Sequence, residues 1–538
     1  MPEPTPAPAP AAAPRSHVLE ALLLAVAFAV AHTQSPLYYS NQNQYFVHGL
    51  ANGGHVNLSH DWLAGTTDPT PVFTALVAFG YKHLGEWSFQ AAYFALLAGY
   101  FLSVRWLVAA LPGVPDTRAF RLIWAAGFVA AHAAVLRVLS VKLWGVDYPW
   151  FLQAGVAGQY VLGPGLQPSA FGVLLVAGLA AFAHRRSTLA CGLVAAACAF
   201  HSTYVLAAGS LVLGFLVVLF REDDDAGPLA LRGLVLASLV VAPVAAFTLF
   251  TFGPHDPRTF ETAQHILADV RIPHHCNIDR WLDGVAVAQL AWAAAGVVLL
   301  RRSRIFVPLA IAALIGFGLT LAQYEYEVTT LALAFPWRIT VVLVPLATAA
   351  ILARTASLLP DASWVAWVGA AVVVALAGAG AWVTVTRQGY RAGEDEAPLY
   401  DFVRAHSGPT QVYLLPVRIP AVGGGRGAMS ASFTPPPRPK PGSNLIPVDL
   451  QRFRLHTGTP IYVDFKSVPY FETEVLEWLR RMQQCEEWYA GDWSAPGRLQ
   501  KLRAEKITHV VTPADKPLTA EYLEEVHADP AYIVYRLR

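Results

Sequence analysis

Apolar residues in this chain gather in long runs with little alternation and few charges inside them. Eleven runs stand out, near 18–33, 88–110, 119–136, 169–184, 188–203, 205–220, 229–252, 284–300, 305–322, 338–355 and 363–386. Several of them reach the roughly 20 residues that a helix needs to cross the hydrocarbon. They predict a mostly α, polytopic helical membrane bundle of about 11 spans. A further run, TPVFTALVAFGYKHL (70–84), is too short to cross. It predicts an interfacial helix lying along the outer surface.

After Arg387 the pattern changes, and the apolar runs shorten. QVYLLPV (411–417), PIYVDFK (460–466), ITHVVTP (507–513) and YIVYRL (532–537) are rich in Val, Ile and Tyr and predict strands. FETEVLEWLRRMQQCEEWY (471–489) has an acidic start and helical spacing, so it predicts a helix. The segment 423–444 is rich in Gly and Pro and predicts a loop. The expectation is a small C-terminal α/β domain over 387–538. No dinucleotide or Walker motif accompanies its strands.

Composition agrees with the bundle: 55% of residues are hydrophobic and 14% charged, against about 25% charged in a soluble domain. The net charge of +1 gives no electrostatic footprint for nucleic acid. The basic residues orient the spans. Arg15, Arg118, Arg121, Arg185, Arg186, Arg221, Arg232, Arg301, Arg302, Arg304 and Arg354 fall at alternate, short connections. These belong on the cytoplasmic side. The N-terminus is then inside and the C-terminal domain extracytoplasmic. Within the transmembrane domain (18–386), the opposite connections are 34–87, 137–168, 253–283 and 323–337. They are longer and hold the unusual chemistry, so function is expected at the outer face.

Residues 1–17 are Pro/Ala-rich and predict a disordered cytoplasmic tail, with a signal anchor after it. Cys191 and Cys198 share one apolar helix face and suggest packing. Cys276 and Cys485 both fall outside the spans, where an oxidising compartment would permit a disulfide.

The loop from Gln34 to Pro71 carries Asp61, Asp68, His48, His55 and His60 beside the bilayer. Carboxylates there are costly without partners. Asp61 has two readings, a catalytic base or the cap of a helix starting at Trp62. Asp68 precedes Pro69 and reads either as a cap or as a substrate-binding residue. Together the two could share a divalent cation. The loop 253–283 offers Arg258, Arg271, His274, His275 and Arg280. Its compact RIPHH (271–275) would put a guanidinium and two imidazoles on one phosphate. Bland alternatives are headgroup or solvent contact, or a zinc site with His255. Asp147, in LWGVDYPW, is a second acidic candidate or part of an aromatic interface belt. Arg338 would grip a phosphate or snorkel to the interface. His201 reads as a histidine hydrogen-bonded within the bundle.

The layout resembles the glycosyltransferase C superfamily. The likeness lies in a first outer loop with an acidic residue in HDW (60–62), an interfacial helix after it, many further spans and a C-terminal soluble domain. The runs YFVHGL…DWLAGTTDPTPVF and FRLHTGTPIYVDFKSVPY also resemble bacterial polytopic membrane proteins of no assigned function. The protein mannosyltransferase Asp-Glu pair and the oligosaccharyltransferase Trp-Trp-Asp motif are not in the sequence, which leaves the acceptor open. The resemblance implies a bacterial inner (plasma) membrane enzyme of the cell envelope. It would transfer a sugar from a lipid-linked (polyprenyl-phosphate) donor at the extracytoplasmic face. Such transfer needs a base for the acceptor proton and cationic groups for the leaving phosphate. Asp61 is the candidate base. Asp68, Asp147, Arg271, His274, His275 and Arg338 are candidate substrate-binding residues, and TGTPIYVDFK (457–466), with Asp464 and Lys466, would face the membrane. Two rivals are a transporter or flippase of a lipid-linked or polar substrate, and a non-catalytic assembly factor.

Overall fold

The computed structural model describes residues 15–32, 36–222, 226–389, 394–419 and 449–538. Most of the expected N-terminal tail and the whole of the loop 423–444 lie outside these residues. What is described is a mostly helical membrane protein with a small C-terminal sheet.

Among the described residues six helices are long and apolar enough to cross a membrane: Trp87–Ala109, Ser202–Glu222, Gly227–Phe252, Phe306–Tyr326, Thr329–Ala356 and Ser363–Val385. A seventh crossing arises if Arg118–His132 and Ala134–Trp144, bent by 50° at Ala133, act as one span. Four of the expected spans are shorter apolar helices: His17–Ala31, Pro168–Ala183, Ser187–Phe200 and Gly284–Leu299. The number of full-length spans is therefore below the eleven expected. These four follow the short runs of the sequence closely, and their ends have local markers. Pro168 opens one of these helices and the extended backbone of His201 closes another.

The bundle packs around the helix Thr340–Ala356, whose residues from Thr340 to Ala350 are all buried. Small residues let its neighbours approach: a Cβ built on Gly296 would fall 2.3 Å from the Ala347 Cβ. Close backbone approach of this kind is what joins helices where lipid removes the hydrophobic drive. The short basic connections meet at one end of the bundle. Glu222 pairs there with Arg304 at 2.9 Å and with Arg185 at 3.4 Å, and Glu20 pairs with Arg121 at 2.7 Å.

The expected interfacial helix is Pro71–Leu84, with Phe73, Thr74, Val77 and Gly80 buried. It packs on the short helix Val47–Gly53, where Gly49 lies against Val77 so closely that a Cβ would clash.

The C-terminal sheet has four strands: β1 (Tyr413–Leu414), β2 (His509–Pro513), β3 (Leu523–Ala528) and β4 (Tyr532–Leu537), in the order β1-β2-β4-β3. β1 runs parallel to β2, and the other pairings are antiparallel. The segment 460–466 is not a sheet strand; a single bridge joins Ile461 to Tyr413. The helix Glu472–Ala490 buries Trp478, Met482, Cys485, Trp488 and Tyr489 in this core. The Tyr489 hydroxyl donates to the Val511 carbonyl at 2.6 Å, with the Leu414 carbonyl 3.1 Å away.

The loop 253–283 is folded rather than open. Asp256 caps the helix Pro257–His265 by accepting from Thr259 N–H. A π-helical turn, Ile266–Arg271, and two short helices, Pro273–Cys276 and Ile278–Trp281, follow. Ala263, Ile266 and Leu267 enter the core of the C-terminal domain. This part of the loop therefore belongs structurally to that domain. Cys276 and Cys485 are buried free thiols in separate apolar clusters, so the disulfide open from sequence is not formed.

Candidate functional site

A cavity of about 590 Å³ lies where the bundle meets the C-terminal domain. The first loop supplies Tyr45, the π-helical turn Arg271, and the next short helix His274 and His275. Arg338 enters from the 3₁₀ turn Pro336–Ile339, His201 from the end of Ser187–Phe200, and Lys466 and Tyr470 from the C-terminal domain. Four of the residues singled out from sequence, Arg271, His274, His275 and Arg338, are thus brought together.

Arg338 is buried and has no carboxylate partner among the described residues. Its guanidinium meets His201 Nε2 at 3.1 Å and donates to the Gln159 side-chain oxygen. It also lies 5.0 Å from the Phe335 ring centre and 5.6 Å from that of Tyr204. Arg271 donates to the Lys466 carbonyl and sits 5.2 Å from the Phe465 ring centre. The Nε of each arginine is buried without a hydrogen-bond acceptor. No hydrogen bond or ion pair to the Lys466 ammonium is found among the described residues. Three cationic side chains therefore face one space with unused donors. Such a constellation suits a multi-oxygen anion.

Burial and the mutual field of these groups set their protonation. Burial, then Arg271, pushes Lys466 down to about 7, against the pull of Asp464. Burial, then Arg271 and Lys466, lowers His274 to about 3. Burial, then His274, holds His275 well below the usual imidazole range, and its Nδ1 meets the Ala157 carbonyl at 2.6 Å. Both imidazoles are neutral at physiological pH. Burial raises the Tyr45 and Tyr470 phenols, which hydrogen-bond each other within the field of both Arg271 and Arg338.

The acidic candidates lie elsewhere, and their positions argue against the roles expected of them. Asp61 does not line the cavity, and its side chain is fully buried. One oxygen accepts from Leu63 N–H at 2.8 Å; the other accepts from Arg454 at 2.8 Å and Ile461 N–H at 3.0 Å. A carboxylate held off the cavity by Arg454 cannot reach an acceptor hydroxyl there; it is an ion-pair partner rather than a base or the cap of a helix starting at Trp62. Arg454 continues to Asp464 at 2.9 Å, and Asp464 accepts from Ser467 N–H at 2.7 Å. Asp68 accepts from Thr70 N–H at 2.9 Å, a turn that leads into Pro71–Leu84. Asp147 has no exposure; it pairs with Arg137 at 2.7 Å and caps the turn Tyr148–Leu152. Its neighbour Trp150 is what reaches the cavity wall.

No group of three or more His, Cys, Asp or Glu side chains is arranged to hold a metal ion among the described residues. The shared cation of Asp61 and Asp68 has no place, since Arg454 occupies Asp61. The carboxylate on the cavity wall is Glu472, whose oxygens accept from His255 N–H at 3.2 Å and Asp256 N–H at 3.0 Å. Sequence reasoning missed it, along with Tyr45, Gln159 and Tyr470. The signal available for Glu472 and Tyr470 was their nearness to Lys466 in SVPYFE.

The segment that supplies Lys466, Tyr470 and Glu472 also ties the domain to the first loop. Gln44 exchanges two hydrogen bonds with the Val468 backbone, Ser467 donates to the Asn43 carbonyl, and Glu474 accepts from Thr67. Comparison with known proteins points to the same segment. The family described as a domain of unknown function (DUF6798) matches residues 439–485. No curated protein matches the chain.

Proposed function

We propose that this chain is a membrane glycosyltransferase-like enzyme that takes a sugar from a polyprenyl-phosphate carrier at the extracytoplasmic face. The observation that supports the reading is the convergence of Arg271, Arg338 and Lys466 on one cavity, with unused donors and no bonded carboxylate. Buried cations in a membrane protein mark substrate sites when no protein group balances them. In this proposal the three hold the donor phosphate, and neutral His274 adds a hydrogen bond. Tyr45, Tyr160 and Trp150 offer flat faces to a sugar. As the phosphate leaves, the cations stabilise the charge that develops on it.

Asp61 no longer serves as the base. Glu472 takes that role in the proposal, as the carboxylate on the wall. It would accept the acceptor proton while its backbone donors hold it in place.

The test uses full-length protein in nanodiscs with radiolabelled short-chain polyprenyl-phosphate sugars. Wild-type protein should bind the donor and release labelled sugar. Glu472→Gln should bind with turnover reduced about a hundredfold or more. Binding that persists unchanged in Arg271→Gln/Arg338→Gln would remove the phosphate from this cavity. Turnover unchanged in Glu472→Gln would remove the base.

A further inference from the structure

One corner of the cavity, next to Arg338, is polar but uncharged. The helix Ser187–Phe200 ends there, His201 takes an extended backbone, and the turn Ser202–Tyr204 leads into Val205–Glu222. A broken helix beside lipid is tolerated where it lines a cavity. His201 and Thr203 from this break, and Ser169 from the turn Pro168–Gly172, stand on the cavity wall. The corner is firmly held. The Tyr204 hydroxyl donates to the Ser169 carbonyl at 2.7 Å, and the Phe171 and Phe200 rings stack with centres 3.7 Å apart. Three polar atoms of this corner are buried without a hydrogen-bond partner among the described residues: His201 Nδ1, Thr203 Oγ1 and Ser169 Oγ. Each buried polar atom left unpaired is costly. Three of them on one cavity wall call for a ligand that pairs them.

The chemistry of His201 narrows what that ligand offers. His201 is 7% exposed, and its Nε2 meets the Arg338 guanidinium at 3.1 Å. A guanidinium only donates, so Nε2 accepts, and the ring is neutral with its proton on Nδ1. The unpaired Nδ1–H therefore needs an acceptor, whereas the Thr203 and Ser169 hydroxyls can each donate or accept. We infer that His201, Thr203 and Ser169 form a hydroxyl-reading subsite that takes the sugar of the donor, beside the cationic group that takes its phosphate. The inference rests on the cavity reading above and deepens it by assigning the sugar's end of the cavity. Sugar hydroxyls fit because each is donor and acceptor at once. They pair one N–H and two hydroxyls without bringing a charge. Trp150 and Tyr160, with ring centres 5.2 Å apart, line the same cavity and offer the sugar ring an apolar face. Arg338 touches His201 and so stands between the two parts, where a sugar joined directly to a phosphate spans both.

The experiment varies the sugar at constant lipid and constant charge, on full-length protein in nanodiscs. The probes are phosphodiesters of geranylgeraniol: the glucosyl, mannosyl and galactosyl phosphates, cyclohexyl geranylgeranyl phosphate, and geranylgeranyl methyl phosphate. The cyclohexyl ester keeps a ring of the same size without hydroxyls, and the methyl ester has no ring. The tightest glycosyl probe should bind at least about tenfold more tightly than the cyclohexyl ester. Thr203→Val keeps the shape of the side chain and leaves the contact of His201 with Arg338 in place. It should shrink that gap about threefold or more, by weakening the glycosyl probe and not the cyclohexyl ester. Ser169→Ala should do the same. His201→Phe should shrink the gap as well, but it also releases Arg338, so the first two variants decide. Equal affinity for the glycosyl and cyclohexyl probes overturns the subsite, and so does a gap that Thr203→Val and Ser169→Ala both leave intact. Either result spares the cavity reading when binding still depends on Arg271. Binding of no probe, or binding indifferent to Arg271→Gln, defeats the cavity reading and the subsite with it.

Discussion

Two groups of buried charge stand near one another where the first loop and the C-terminal domain meet, and they are built in opposite ways. In one, Arg454 lies between Asp61 and Asp464, and backbone N–H groups of Leu63, Ile461 and Ser467 donate to the same two carboxylates, so that every oxygen has a partner. In the other, Arg271, Arg338 and Lys466 face a cavity with donors to spare. A satisfied network is a fastener: it fixes one geometry and leaves nothing for a ligand. An unsatisfied one costs stability, which a bound anion recovers. The two types of variant should therefore separate, one acting on folding and the other on binding.

The largest effect is expected from Arg454→Met. It leaves Asp61 and Asp464 buried together without a counter-ion. Removing one partner of such a pair costs about 3–5 kcal/mol. Denaturant unfolding in detergent should show the loss, and limited proteolysis should show the C-terminal domain released from the first loop. A variant as stable as wild type would mean that the Asp61–Arg454–Asp464 contact does not fasten the domain.

Arg338→Met should do the reverse. Replacing an unbalanced buried cation by an apolar side chain of similar length is expected to leave stability unchanged or raised. Anion binding should fall by about 30-fold or more. If Arg338→Met destabilises as much as Arg454→Met, the contrast between the two clusters collapses and Arg338 is structural.

How much of this was legible in the sequence follows the distance over which each partner acts. The apolar runs announce themselves locally, and each expected span falls on an apolar helix. Their length is another matter: the runs that begin after Pro168 and end near His201 are themselves short of a full crossing, and the helices keep that length. RIPHH was legible because three cationic or imidazole side chains in five residues have few uses beside a membrane. Asp61 was misread because its partner lies 393 residues away. An unpaired carboxylate and a fastened one look alike without that partner. Asp147 was misread with less excuse, since Arg137 stands ten residues upstream. β3 escaped notice because LEEVHA is an edge strand with a register shift between Glu525 and His527, which breaks the usual apolar alternation. PIYVDFK has strand composition, yet it runs as a buried extended connection that carries Asp464 to the fastener and Lys466 to the cavity.

That last segment supplies the smallest and sharpest test, because adjacent residues serve the two clusters. Lys466 is held down to about 7, chiefly by burial and then by Arg271. The groups facing it are Arg271, which stays charged, Asp464, which is fastened, His274, lowered to about 3, and His275, held well below the usual imidazole range. A bound anion favours the ammonium and so raises the Lys466 pKa in the complex. The sign follows. Affinity is highest below about pH 7, where Lys466 is already charged, and falls as pH rises through that value, because binding must then take up a proton. The probe is geranylgeranyl methyl phosphate, a phosphodiester like the proposed donor, whose own charge does not change across pH 6–9. The expected loss is about tenfold over that range, the size of one partly buried charge pair. Lys466→Met should flatten the profile at the weaker level and abolish the proton uptake seen by calorimetry in buffers of different ionisation enthalpy. A slope that survives in Lys466→Met would assign the titration to another group. A flat profile in the wild type would mean that Lys466 does not meet the ligand.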